Sequence, residues 1–179
     1  MPVQQLLDTI GNEWDDKSPA GSGFTRKRWL QGLSDTIARP INNRVTASTN
    51  ATAVACTGAV LSSGIGTNAI TPGKYAECQV QARVTLKASA AGVFQVYVYR
   101  TTGAVPANGA PPNAGDVVVG GDSFGGGSLA ANTNTPATLS VIDSGLSSTT
   151  AYRYYFCCDG PNGDTLNLIN GSQLTVSEF

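Results

Sequence analysis

No histidine occurs anywhere in the chain, and that absence closes off more chemistry than any other feature of the sequence. Ser-His-Asp and Cys-His nucleophile systems lose their base, and the common zinc sites lose a principal ligand. Charge is sparse as well: 11 Lys and Arg stand against 12 Asp and Glu, for a net charge of −1 at pH 7. So balanced a chain has no electrostatic case for nucleic acid or an anionic membrane surface as partner. No apolar run approaches the roughly 20 residues that span a bilayer as a helix. The start, Met1-Pro2-Val3-Gln4-Gln5, lacks the basic segment and apolar core of a signal peptide, so synthesis in a reducing cytoplasm is expected. The four cysteines, Cys56, Cys78, Cys157 and Cys158, show no C-x-x-C spacing and lie in apolar or β-like runs. Buried free thiols are expected there.

The charge that exists is unevenly placed. Residues 1–50 carry 11 charged side chains, whereas residues 51–179, more than twice as many, carry only 12 and are rich in Gly, Ala, Ser, Thr and Asn. Both tryptophans, Trp14 and Trp29, fall in the first segment. The expected organisation is an N-terminal arm, 1–50, and a body, 51–179. In the arm, Val3, Leu6, Leu7, Ile10 and Trp14 fall at helical spacing and predict a short helix over 2–16. Pro19, Gly21 and Gly23 break it, and a second helix is predicted from the cap residue Thr25 to Ala38, with Trp29, Leu30, Leu33 and Ile37 as its apolar stripe. Arg26, Lys27 and Arg28 oppose the dipole of that second helix in its first turn, which suggests that they serve a partner. Helices this short are marginal alone in water, so each stripe must dock. The arm residues expected to bind a partner are Leu7, Ile10, Trp14, Arg26, Lys27, Arg28, Trp29, Leu33 and Ile37.

The body reads as β throughout. Over 74–88, Ala76, Cys78, Val80, Ala82, Val84, Leu86 and Ala88 alternate with polar residues, which is the period of a strand with one buried and one wet face. After a reversal at 89–92, Phe94, Val96 and Val98 alternate with Val93, Gln95, Tyr97 and Tyr99. Over 151–158, Tyr152, Tyr154, Phe156 and Cys158 share one side, and Arg153, Tyr155 and Cys157 the other. Residues 101–115 are too rich in Pro and Gly for regular structure, and 120–127, with five glycines around Phe124, read as a long exposed loop. Asn170-Gly171 reads as the turn of a closing hairpin. With about eight short strands and no helix between them, an antiparallel β-sandwich of jelly-roll type is the economical architecture.

Nothing in the body supplies a reaction centre at recognisable spacing. The carboxylates Glu77, Asp116, Asp122, Asp143, Asp159, Asp164 and Glu178 lie mostly beside Gly or Pro and read as turn residues. Asp159, Asn162 and Asp164 lack the distal acid that completes a calcium loop. The glycine run 120–127 is followed by no Lys-Ser/Thr and is not a phosphate loop. The expectation is a non-enzyme with no catalytic residues, no cofactor and no metal.

The order Thr149-Thr150-Ala151-Tyr152-Arg153-Tyr154-Tyr155-Phe156, followed by residues 169–179, is similar to the closing strands of tumour-necrosis-factor-like and complement-head-like jelly rolls found in tailed-bacteriophage virion proteins. Ile70-Thr71-Pro72-Gly73-Lys74-Tyr75 resembles an early strand of the same modules. The resemblance covers roughly residues 51–179 and rests on hydrophobic spacing. It implies a trimer-prone structural module of the virion, a decoration (cement) protein whose arm grips the major capsid protein or another virion protein, with a dimer as the other oligomeric option. The alternatives are a receptor- or carbohydrate-binding tip of a tail or head fibre, with 101–115 and 120–127 carrying recognition, and a carbohydrate-binding accessory domain. On the body, Gln95, Tyr97 and Tyr99, with Arg153 and Tyr155 as sheet neighbours, make an amphipathic aromatic face of the kind enriched at interfaces. That face is expected to meet a second copy or the shell.

Overall fold

The computed structural model describes residues 44–178, apart from Asn50, Lys74 and the side chains at 121–123. The helices expected over 2–16 and 25–38, and with them every arm residue expected to bind a partner, lie outside the described residues. The described chain is mainly β: ten strands in two antiparallel sheets enclose one apolar core. The strands are β1 (Arg44–Ser48), β2 (Thr52–Ala55), β3 (Leu61–Gly66), β4 (Cys78–Ala88), β5 (Gly92–Thr101), β6 (Val117–Leu129), β7 (Thr135–Asp143), β8 (Arg153–Asp159), β9 (Thr165–Leu168) and β10 (Gln173–Glu178). The first sheet therefore begins at Arg44, earlier than the arm–body boundary expected at 51.

Alternation places the core where the sequence puts it. On β4, Cys78, Val80, Ala82, Val84, Leu86 and Ala88 are all buried, while Gln81 and Arg83 face solvent. On β5, Phe94, Val96 and Val98 are buried in the same core. The reversal at 89–91 does not make these two strands a hairpin. β4 pairs with β7, β9 and β10, whereas β5 pairs with β6 and β8, so the chain crosses between sheets at that point. Each strand thereby offers an apolar face to the other's sheet, and burying a Leu, Val or Phe side chain is worth about 1.5–3 kcal/mol.

The first sheet runs β1-β10-β4-β9-β2, with β7 on the other side of β4. β9 and β10 lie end to end along one edge of β4, Leu166–Leu168 against Ala88–Leu86 and Gln173–Glu178 against Arg83–Cys78. The expected hairpin at Asn170-Gly171 is thus corrected. The turn forms, with Gly171 at φ 90°, but it returns the chain to its original line. Ile169 N–H donates to the Thr85 carbonyl at 2.8 Å, and Thr85 N–H donates to Ser172 Oγ at 3.0 Å. The serine hydroxyl thereby replaces the backbone acceptor that the excursion removes from the ladder. β1 and β2 are interrupted at the same level and tied to the excursion, Thr49 N–H to Ser172 O at 3.1 Å and Gly171 N–H to Thr49 O at 3.2 Å. Because Thr85 points its N–H and C=O toward this side, its pair with Pro136 on β7 is a non-hydrogen-bonded one, and the proline costs that ladder nothing.

The second sheet runs β3-β8-β5-β6. Here the exposed loop expected at 120–127 is corrected: β6 continues through it. Val119 pairs with Val98 and Phe124 with Val96, so 120–123 bulge out opposite Tyr97, and Gly125 forms a second irregularity before Gly126 pairs with Gln95. Glycine is required by contact. A Cβ at Gly125 would sit 2.5 Å from Ala137 Cβ on β7, and one at Gly126 would sit 2.1 Å from the Phe94 carbonyl oxygen. Phe124, expected in a loop, is buried with its ring 6.3 Å from Phe156.

Candidate functional site

The outward side of β5 carries Val93, which is 60% exposed, then Gln95, Tyr97 and Tyr99, each partly buried. Residues two apart on a strand share a face, so Tyr97 and Tyr99 meet edge to face at 6.3 Å and 71°. Tyr97 Oη donates to Gln95 Oε1. Antiparallel pairing sets Tyr99 opposite Tyr155 of β8, with ring centroids 5.8 Å apart. The structure therefore brings Gln95, Tyr97, Tyr99 and Tyr155 into one aromatic row. Burial raises the Tyr99 phenol above the ordinary tyrosine value.

One of the residues expected to form an interface, Tyr155, does not lie open. Tyr155 and its neighbour Cys157 are fully buried although period-2 spacing points them outward. The segment 101–116 lies over them. Tyr155 Oη donates to Asp116 Oδ2 at 2.6 Å, and the same oxygen accepts Asn113 N–H at 3.0 Å. Asn113 Nδ2 donates to Ala104 O at 3.1 Å, and Arg153 Nη1 to Gly103 O at 2.9 Å, so Arg153 is partly committed to holding this cover. Ser62 on β3 fastens the far side: its N–H donates to Ala110 O at 2.7 Å, its Oγ to Pro106 O at 2.9 Å, and its carbonyl accepts Gly109 N–H at 2.9 Å. Desolvation pushes the Tyr155 phenol well above its usual range and the Cys157 thiol up to about 12. The outward residues of this strand that remain accessible are therefore Val93, Gln95, Tyr97 and Tyr99, with Tyr155 beneath the cover as their support. Sequence reasoning missed this because the covering residues are separated from Tyr155 by a long stretch of chain.

Where the cover leaves and rejoins the sheet it encloses a depression of about 370 Å³, lined by Thr101 to Ala104 and Asn113 to Asp116. Its lining mixes polar and apolar surface in similar measure.

A second cluster, absent from the sequence reading, bridges the two sheets. Asp143 on β7 accepts Arg100 Nη1 of β5 at 2.6 Å through Oδ1 and Tyr154 Oη of β8 at 2.8 Å through Oδ2. The Arg100 guanidinium lies 5.4 Å from the Tyr152 ring centroid, and Tyr152 Oη accepts Ser147 N–H at 3.0 Å. Burial, offset in part by a hydrogen bond with Tyr154, raises the Cys78 thiol to about 11. Asp143 had been grouped with the turn carboxylates because Ser144 and Gly145 follow it, and no local signal pairs it with Arg100. The cluster joins β7 to β5 and β8 and so clamps the two sheets together. All four cysteines are free and buried, as expected, and desolvation raises each thiol above its ordinary value. No family model matches the sequence, and no curated protein matches it.

Proposed function

We propose that this protein is a non-catalytic structural module of a virion, a decoration (cement) protein whose body is a jelly roll and whose N-terminal arm binds the shell. The observation that carries this reading is strand order. If β1 with β2, and β9 with β10, each count as one interrupted strand, the sheets run in chain order 1-8-3-6 and 2-7-4-5. That order supports the double-sheet arrangement of a jelly roll, an architecture used in viral capsid and lectin domains. The similarity of residues 149–156 and 169–179 to phage jelly-roll modules supports the same assignment, as does the concentration of charge and tryptophan ahead of the sheet. In this reading Val93, Gln95, Tyr97 and Tyr99 meet a second copy or the shell, with Arg153 at the margin.

The test is binding of the purified full chain to tailed-phage heads stripped of their decoration. Saturable binding, lost when residues 1–43 are deleted and β1 is left intact, is the expected result. Binding that survives the deletion sinks the arm assignment, and attachment to host cells with none to heads favours a fibre tip. For that second reading, the depression at the base of 101–116 is the relevant observation. The part of it that relied on an exposed loop at 120–127 falls with the strand found there.

A further inference from the structure

We propose that the depression between residues 101–104 and 113–116 is a binding site for a neutral saccharide unit. The proposal goes beyond shell binding and does not depend on it. The cavity, about 370 Å³, lies at the small end of the range for ligand pockets, about 300–1,000 Å³. Its chemistry selects the ligand class. Asp116 Oδ2 already accepts two donors, Tyr155 Oη and Asn113 N–H, which fix the carboxylate, while Oδ1 has no protein donor among the described residues. Asn113 spends its amide N–H on Ala104 O, so its side-chain oxygen is left as an acceptor. Thr102 is exposed, and its hydroxyl has no partner among the described residues. Two acceptors on the 113–116 side and a hydroxyl on the 101–104 side call for a ligand that presents several O–H donors.

Other ligand classes fit less well. An anion would meet the Asp116 carboxylate, while the nearest cation, Arg153, is turned to the Gly103 carbonyl. A metal ion would need more ligands than one carboxylate, and no group of three His, Cys, Asp or Glu suited to a metal occurs among the described residues. An apolar ligand would take water from the Asp116 carboxylate and offer it no donor in return. A sugar ring, which pairs O–H donors with modest apolar surface, matches the lining. The buried phenol of Tyr155 beneath Asp116 acts as a permanent donor, because its raised pKa keeps its proton in place. The Asp116 carboxylate is therefore held in place before any ligand arrives, which limits the ordering cost of binding at that group.

The experiment is amide-resolved NMR titration of the ¹⁵N-labelled full chain with the methyl glycosides of glucose, galactose and mannose and with N-acetylglucosamine, at tens of millimolar. Saturable shifts at Gly103, Asn113 and Gly115 with at least one sugar are expected, and none with glycerol. Asp116→Asn, which still accepts from Tyr155, should weaken binding about tenfold, as loss of a charge-assisted hydrogen bond does. Thr102→Ala, on an exposed side chain and without consequence for the fold, should weaken it about threefold. No saturable shift with any of the four sugars overturns the proposal. Shifts that map elsewhere, or that both variants leave unchanged, overturn it equally.

Discussion

Removing Asp143 tests whether the two sheets are locked together at one end by a polar clamp. In Asp143→Ala the Tyr154 hydroxyl, on a side chain with no solvent exposure, loses its carboxylate acceptor, and a buried hydroxyl in that state costs about 1–3 kcal/mol. Arg100 also loses its partner. With side-chain exposures of 19% for Arg100 and 11% for Asp143, the pair is neither fully buried nor at the surface. Its loss is therefore set well below the 3–5 kcal/mol of a broken buried pair, at about 1–2 kcal/mol. Together these give a destabilisation of about 2–5 kcal/mol, a large share of the 5–15 kcal/mol typical of a domain. Tyr154→Phe alone should cost about 1 kcal/mol, and the double variant should cost less than the sum by at least about 0.5 kcal/mol, because the two groups share one hydrogen bond. Urea unfolding followed by far-UV circular dichroism is the suitable assay. A cost below about 1 kcal/mol for Asp143→Ala, or strict additivity in the cycle, would refute the clamp.

Three further outcomes are expected. Gly126→Ala, which sets a Cβ 2.1 Å from the Phe94 carbonyl oxygen at φ 99°, should destabilise the fold by more than about 2 kcal/mol. Gly127→Ala, at φ 96° with open space around it, should cost only about 1 kcal/mol of backbone strain, and equal effects in urea melts would count against the close packing of β6. The thiols should resist alkylation in the folded protein at pH 8 and react on unfolding. Because the folded thiols and the Tyr154 and Tyr155 phenols ionise above their unfolded values, stability is full below a pH of about 8.5 and falls as pH rises toward the folded thiol values, about 11 for Cys78 and about 12 for Cys157. A flat stability profile from pH 8 to 11 would contradict the burial of these groups. Tyr97→Asp with Tyr99→Asp should leave the circular dichroism unchanged while lowering the mass of the assembly in solution. An unchanged mass and unchanged shell binding would show that side of β5 to be plain solvent-facing sheet.

The strands that alternate strictly were legible. Cys78 to Ala88 and Phe94 to Val98 bury the side chains that period 2 selects, because a sheet face against a core imposes that pattern directly. What failed was everything decided by a distant neighbour. Tyr155 and Cys157 have outward spacing and no exposure, since 101–116 returns over them. The glycines of β6 carry no side chains to mark a face, and their strand character comes from pairing with β5 and from the close approach of Ala137. At Asn170-Gly171 the turn chemistry was visible, but the direction of exit was not, because Thr85 and Thr49 on other strands set it. Arg44 to Ser48 alternates too briefly to announce a strand, and it becomes one by pairing with β10. Of the site, the aromatic row on β5 could be read from spacing, whereas the depression and the Asp143 clamp exist only once 101–116 and β7 are in place.

The interruptions in the strands bear on how copies of this protein can gather. A sheet grows without limit when an unbroken margin offers its backbone to another chain. Here the outer margin of β6 is displaced at 120–123, that of β7 carries Pro136, that of β3 is occupied at Ser62 by Ala110 and Gly109, and β1 and β2 are broken between Ser48 and Thr52. Each margin is too short or too bent to template a long ladder. Association is thereby steered away from open-ended fibrils and onto side-chain surfaces, where symmetry can close the assembly at a fixed number of copies.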